Sequence, residues 1–410
     1  VTSLSTHLEP LPAPPAYGAG TVGEVLTSAA AALGLGGFGN ALGLPPARRV
    51  CVVMVDGLGL SLLKKRGGHA PFLRSHLEGV RTLGSAFPST TAASLASLGT
   101  GVPPGLHGMV GYDVLDPVQD KVVNMLGNWD DGVDPVTWQP HPTVFERASR
   151  EIPVVTVSQS RFADSPMTRA ALRGGSFLGA GTLQARVRGA AERLAGADTM
   201  LMYFYLNDLD KAGHRHGCAS TDWTDRLEDL DSAMKSLARQ MPADTLLLLT
   251  ADHGMVDVAE GHRFDYSARP ALVDGIAHTA GEPRMVHLYF EPDLDAAGRE
   301  RLRSAWQEAF GRQAWILTRG EAVQAGLFGP TVDPSVLPRI GDLLVAAREP
   351  IALFDTRRTA ASALEVIGQH GSMTRAEREV PLLTLRRPEP ARKVPARRAT
   401  KPTPERPNHG

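Results

Sequence analysis

The chain alternates between short, continuously apolar runs and longer stretches of mixed polarity. Residues 50–55, 152–157, 200–206 and 245–250 form such runs, and 342–347 and 351–354 repeat the pattern later. Unbroken hydrophobicity over so few residues marks strands covered on both faces, as in a parallel sheet. Between them, 182–194 and 221–240 read as helices, the second placing Leu227, Leu230, Met234 and Leu237 on one side. Strands alternating with helices predict an α/β fold: a mostly parallel central sheet covered by helices on both faces. Residues 257–340 break the rhythm. Within them 286–290 reads as a strand, 296–310 as an amphipathic helix, and 281–283 and 329–338 as turns. A small inserted α+β cap subdomain is expected over about 257–340, before the last core segment. It belongs to a main domain over 21–385, preceded by a flexible segment, 1–20, and followed by a tail, 386–410.

Composition sharpens this outline. With 410 residues, 42% of them hydrophobic, the chain suits one large α/β domain carrying an insertion. Lys+Arg 43 against Asp+Glu 44 leaves a net charge of −1, so specific nucleic-acid binding is not expected. The charge is uneven. Residues 386–410 hold eight Lys/Arg, two Glu and six Pro, a composition that predicts a disordered basic tail of unknown partner. Two cysteines, Cys51 and Cys218, exclude a disulfide-stapled scaffold. No apolar run approaches ~20 residues, so no membrane span is expected. Residues 1–20 contain no Lys or Arg and are rich in proline, unlike the basic start of an export signal, and a cytoplasmic location is expected.

Candidate chemistry gathers at the carboxyl ends of the predicted strands, where open α/β sheets bind ligands. Asp56-Gly57 follows the first run, Asn207-Asp208-Leu209-Asp210-Lys211-Ala212-Gly213-His214 the third, and Ala251-Asp252-His253-Gly254 the fourth. Taken singly, Asp56-Gly57 is an ordinary turn and Asp252-His253 an ordinary ion pair. Gly57 and Gly59 lack a third glycine, since Leu62 stands in its place, which excludes a dinucleotide fingerprint. Together, several like charges at one sheet edge call for a cation. Mixed Asp and His ligands suit zinc, with manganese the second choice. Asp210 and His214 are four apart, on one face of a helix. His370, between Gln369 and Gly371, is a further ligand candidate. Hydroxyls are concentrated at Ser89, Thr90, Thr91 and Ser94, ahead of Gly99-Thr100-Gly101. Such residues serve as helix caps, or as a nucleophile at a helix N-terminus that a metal activates.

In this order along 48–385, the segments Val53-Met54-Val55-Asp56-Gly57, 87–101, Pro104-Gly105-Leu106-His107-Gly108, Asp210-Lys211-Ala212-Gly213-His214, Thr250-Ala251-Asp252-His253-Gly254 and Gln369-His370-Gly371 resemble the alkaline phosphatase superfamily. Within it they are most similar to the type I phosphodiesterase/nucleotide pyrophosphatase family. The resemblance implies an alkaline phosphatase-like fold, two zinc ions and a covalent phosphothreonine. Carried over by position, one ion takes Asp210, His214 and His370, and the other Asp56, Asp252 and His253 with Thr91 as oxygen ligand and nucleophile. Thr91 is preferred to Thr90 because the family nucleophile lies ten residues before the glycine of the Thr-Gly pair, here Gly101.

Two departures bear on substrate. Ala92-Ala93-Ser94 stand where the family places an aromatic-Pro-Asn segment, and Tyr112 stands where it places a phosphoryl-binding asparagine. Lys211 is the only cation inside the motifs, with Arg161 and Arg263 able to approach from loops. His107, His216, His262 and His278 read as structural or solvated. The expected activity is hydrolysis of a small phosphate-containing substrate, a phosphodiester or nucleotide pyrophosphate. The alternatives are a phosphomonoesterase, phosphonate hydrolase or phosphomutase of the same superfamily and, from a different class, a non-catalytic metal-stabilised binding protein.

Overall fold

A computed structural model of the protein describes residues 10–127, 129 and 132–389. Its centre is a seven-stranded sheet in the order Arg81–Gly84, Glu379–Arg386, Thr245–Thr250, Arg49–Val55, Met200–Leu206, Val154–Ser158, Ser176–Gly179. The last five of these pair in parallel, whereas Glu379–Arg386 runs antiparallel to both its neighbours. Every residue of Arg49–Val55 and Thr245–Thr250 is buried, which is why these runs carry no alternation. Helices Gly23–Ala32, Thr91–Thr100 and Pro166–Ala171 pack as one layer, and Leu183–Ala195 with Thr221–Gln240 as another. In Thr221–Gln240 the buried stripe is Trp223, Leu227, Leu230, Met234 and Leu237, and Ser220 caps the first turn by accepting from the Trp223 N–H at 3.2 Å.

The inserted region builds its own antiparallel sheet, ordered Ile276–Glu282, Met285–Phe290, Leu343–Ala347, Ala314–Thr318, against helix Ala296–Phe310. Two expectations are corrected here. Residues 342–347, expected as a late core strand, belong to this subdomain, so its sheet extends past 340. The apolar run arises because Leu343, Val345 and Ala347 face the subdomain core, while Leu344 and Ala346 face the main core. Residues 351–354 likewise leave the central sheet: Ala352–Phe354 pairs with Arg263–Asp265. The final core strand is Glu379–Arg386, and Arg386, expected to open the tail, ends it.

Residues 1–9 of the N-terminal segment and 390–410 of the tail lie outside the described residues. Within 10–20, Tyr17 donates its hydroxyl to the Leu327 carbonyl at 2.9 Å and accepts the Phe87 N–H at 3.0 Å. Among the described residues no helix is long and apolar enough to cross a membrane. Cys51 and Cys218 are both free and buried.

Candidate metal centre and substrate pocket

Three parallel strands end side by side and deliver the predicted acidic residues to one edge. Asp56 leaves Arg49–Val55, Asp252 and His253 leave Thr245–Thr250, and Asp210 and His214 lie on helix Asp208–His216 after Met200–Leu206. Gly57 permits the approach: its φ is 75°, and a Cβ there would stand 3.3 Å from the Asp210 backbone and Cβ. His370 arrives from the other side, following the short strand Gly368–Gln369. Thr91 opens helix Thr91–Thr100, with Thr90 as an N-cap residue that makes no capping bond.

The side chains converge in two overlapping groups. Asp56, Asp252 and His253 offer ligand atoms within 4.8 Å of one another, as do Asp210, His253 and His370. His253 Nε2 lies 3.3 Å from Asp56 Oδ1 and 3.6 Å from Asp252 Oδ2. The Thr91 hydroxyl stands 3.1 Å from the same nitrogen and 3.5 Å from Asp56 Oδ1. His214, expected with Asp210 and His370, has Nε2 3.3 Å from Asp210 Oδ1 and its ring 5.3 Å from that of His370. The His253 and His370 rings stack at 3.6 Å, and His253 belongs to both groups.

Two features of the donor set fit divalent cations. Each histidine has Nδ1 against a backbone carbonyl: His214 against Gly368 at 2.7 Å, His253 against Gly254 at 2.9 Å, His370 against Ser89 at 3.0 Å. Donation there places the proton on Nδ1 and leaves the Nε2 lone pair for an ion. In addition, Asp210 Oδ1 and Asp252 Oδ2 are buried without hydrogen-bond partners among the described residues. The electrostatics agree. Burial, then Asp56, pushes the Asp210 carboxyl up to about 6. Burial and Asp56 also raise Asp252 well above the ordinary range. Burial opposes a proton on His253, but Asp252 and Asp56 outweigh it and lift the imidazole to about 10. Two of the three buried carboxylates are thus pushed towards their neutral forms, whereas against the effect of burial His253 holds Asp56 below the ordinary range, and cations relieve such crowding of charge.

Thr91, Asp56, Asp210, His214 and His370 border a cavity of about 670 Å³. Tyr112 also borders it, and burial raises its hydroxyl pKa. Of the two loop arginines considered, Arg161 lines this cavity beside Lys211. Burial, then Arg161, lowers the Lys211 ammonium pKa. Arg263 is instead spent on the carbonyls of Val258 and Leu364. His107 is structural, bonding the Ser97 hydroxyl at 3.0 Å and the Met109 N–H at 3.1 Å. His216, His262 and His278 do not border the cavity.

Sequence reasoning missed two residues. Tyr205 donates its hydroxyl to Asp56 Oδ2 at 2.5 Å. Its signal was one of two phenols, with Tyr203, in a strand whose other side chains are apolar. Glu282, at the end of the subdomain strand Ile276–Glu282, lies against Gly371 and accepts the Tyr112 N–H at 3.1 Å. Nothing local in the sequence marks it.

A family model for type I phosphodiesterase/nucleotide pyrophosphatase matches residues 50–373, a span containing every residue of the cluster. The chain belongs to this family. The family takes its name from enzymes that cleave phosphodiester and nucleotide pyrophosphate bonds. An alkaline phosphatase, PhoK, from Sphingomonas sp is 25% identical over 226 residues; the match spans 47% of this chain and 40% of that relative. The fold is shared with murine ectonucleotide pyrophosphatase/phosphodiesterase 5, at TM-score 0.64 and 16% identity over 81% of this chain and 87% of that one. Phosphonoacetate hydrolase from Sinorhizobium meliloti 1021, solved with phosphonoacetate, gives TM-score 0.63 and 19% identity over 84% and 91% of the two chains.

Proposed function

We propose that this family member cleaves phosphodiester or nucleotide pyrophosphate bonds through a phosphothreonine formed on Thr91. The observation that carries the reading is the position of the Thr91 hydroxyl. It is buried, in contact with His253 Nε2 and Asp56 Oδ1, and open to the cavity. Asp56, Asp252 and His253 would hold one divalent ion and Asp210, His214 and His370 a second, zinc before manganese. When bound, such ions supply the positive charge that favours an ionised nucleophile and offsets charge on the phosphoryl oxygens.

The chain's own groups do the rest. Thr91 sits at the first position of a ten-residue helix, whose free N–H groups and dipole favour a phosphoryl anion. The Thr91 oxygen attacks phosphorus and the alcohol or phosphate opposite departs; water then cleaves the phosphothreonine and restores the hydroxyl. Tyr112 borders the cavity as a donor for a phosphoryl oxygen, in place of the family asparagine. The murine relative has been solved, as an inactive variant, with AMP, in keeping with a nucleotide-sized substrate. One observation favours a second reading. Arg161 and Lys211 both border the cavity and suit a monoester or phosphonate, which bears an extra negative charge.

Thr91→Ala is expected to abolish the phosphoenzyme and lower turnover by orders of magnitude while retaining metal. Thr90→Ala is expected to be milder, since the Thr90 hydroxyl is buried beside Glu282. Trapping the phosphopeptide and locating the phosphate checks this; phosphate on Thr90 would overturn the assignment.

A further inference from the structure

Glu282 is buried, does not border the cavity and forms no ion pair with a described cation. Arg284, two positions on, is committed to Glu377. The carboxyl of Glu282 instead meets three segments that frame the Thr91 hydroxyl. Oε2 accepts the Tyr112 N–H at 3.1 Å. The side chain lies against Gly371, where φ is 125° and only glycine leaves it room. The Gly371 carbonyl in turn accepts the Ser89 N–H at 3.0 Å, and the Ser89 carbonyl faces His370 Nδ1. The third segment is the residue before the nucleophile. The Thr90 hydroxyl lies beside the same carboxyl, and neither it nor Glu282 Oε1 meets a partner at hydrogen-bond geometry among the described residues. Two buried polar atoms left open side by side are each other's natural partners, and a small shift joins them. Tyr112 also depends on the subdomain that carries Glu282. It leads into the hairpin of Asp113–Asp116 and Lys121–Asn124, where Asp113 pairs with Arg358 at 2.7 Å, Asp120 with His278 at 2.8 Å, and Leu115 packs with Ala280 and Tyr289.

We propose that Glu282 is a positioning residue for phosphoryl transfer: it holds the Thr90 hydroxyl and the Tyr112 N–H at once, and so fixes the placement of Thr91 and Tyr112 from the inserted subdomain. This rests on the hydrolase reading and deepens it. Glu282 acts by reach and hydrogen bonding, since burial opposes its ionisation and no cation pairs with it.

Bis(4-nitrophenyl) phosphate tests the role. Glu282→Ala is expected to lower kcat by about 10–100-fold, the scale of a misplaced reacting group, with KM little changed because the side chain lies outside the cavity. Glu282→Gln keeps the reach, an acceptor for Tyr112 and a donor for Thr90, and should recover most of that loss. Glu282→Asp keeps the acid but is one methylene shorter, and should not. Thr90→Val removes the hydroxyl alone and should cost part of the same loss. Combined with Glu282→Ala it should cost nothing further, because one contact can be lost only once. Circular dichroism and zinc content confirm that each variant is folded and loaded; if Glu282→Ala is not, the contrast of Gln with Asp, and Thr90→Val made in the Asp variant, decide in its place. Wild-type turnover in Glu282→Ala, a loss carried by KM, a Gln variant as slow as Asp, or losses that multiply in the double variant would overturn the proposal. If the wild-type protein leaves the diester intact and forms no phosphothreonine, the hydrolase reading fails. The same pair of substitutions, read by urea unfolding, then decides the contact: additive losses of stability remove it, and overlapping losses uphold it.

Discussion

Asp56 has two carboxylate oxygens with two different neighbours. Oδ2 takes the Tyr205 hydroxyl at 2.5 Å, and Oδ1 faces His253 and Thr91 at 3.3 and 3.5 Å. Tyr205 thereby fixes the rotation of the carboxylate and leaves one oxygen pointing at the cluster. Loss of such an outer hydrogen bond weakens metal binding by about 10–100-fold. Tyr205→Phe is therefore expected to lower metal affinity on that scale, measured by competition with a chelating dye. Tyr203 provides the control. Its hydroxyl is buried without a partner, so Tyr203→Phe should keep metal affinity near wild type and hold or raise Tm. The six candidate ligands could be named from sequence because their residue types and order carry the chemistry. Tyr205 could not, because a phenol in an apolar strand announces nothing until its hydroxyl has a neighbour.

At the scale of elements, the antiparallel subdomain supports the site. Arg284, in the turn after strand Ile276–Glu282, forms a buried bidentate pair with Glu377 at 2.7 and 2.8 Å. Glu377 in turn accepts the Ser372 N–H at 3.0 Å, two residues beyond His370. Glu282, at the end of that strand, lies against Gly371, where φ is 125° and a Cβ would meet Glu282 Cγ at 2.4 Å. Burial lifts the Glu282 carboxyl from 4.5 to about 8. A folded pKa above the unfolded one means that the native state binds the extra proton. The contribution to stability is thus complete below pH 4.5 and is lost as pH rises through about 8. Glu282→Gln keeps the carbonyl that accepts from Tyr112 and removes the titration. Thermal melts of metal-free protein between pH 5 and 8 should fall less steeply with pH in the variant; equal slopes would contradict this account. The sequence placed an insertion here but ended its sheet too early. A short apolar run such as Leu343–Ala347 looks the same whether it joins one core or lies between two.

At the scale of the whole molecule, the acidic cluster joins the ends of three strands with a loop from the far end of the chain. A cation bound there ties segments that are distant in sequence. Prolonged chelation is expected to abolish activity and lower Tm, and zinc to restore both, since a ligand at 100 times its Kd stabilises by about 2.7 kcal/mol. A Tm indifferent to chelation, with no divalent metal by elemental analysis of active protein, would contradict a metal centre. Fold class, the ligand set and the choice of Thr91 over Thr90 could be argued from sequence, because strand periodicity, residue chemistry and motif order are local and survive without coordinates. Which loop arginine borders the cavity could not. Arg161 and Arg263 are the same residue type, the first in the turn Ser160–Phe162 and the second opening the short strand Arg263–Asp265. Only packing commits Arg263 to the Val258 and Leu364 carbonyls and leaves Arg161 on the cavity wall. The same holds for His253, which falls in both candidate ligand groups and stacks at 3.6 Å on His370, more than a hundred residues away. Local pattern determined what chemistry the chain carries. Tertiary structure decided which of those groups share a site, because distances between segments remote in sequence are set by how the sheet and its insertion pack.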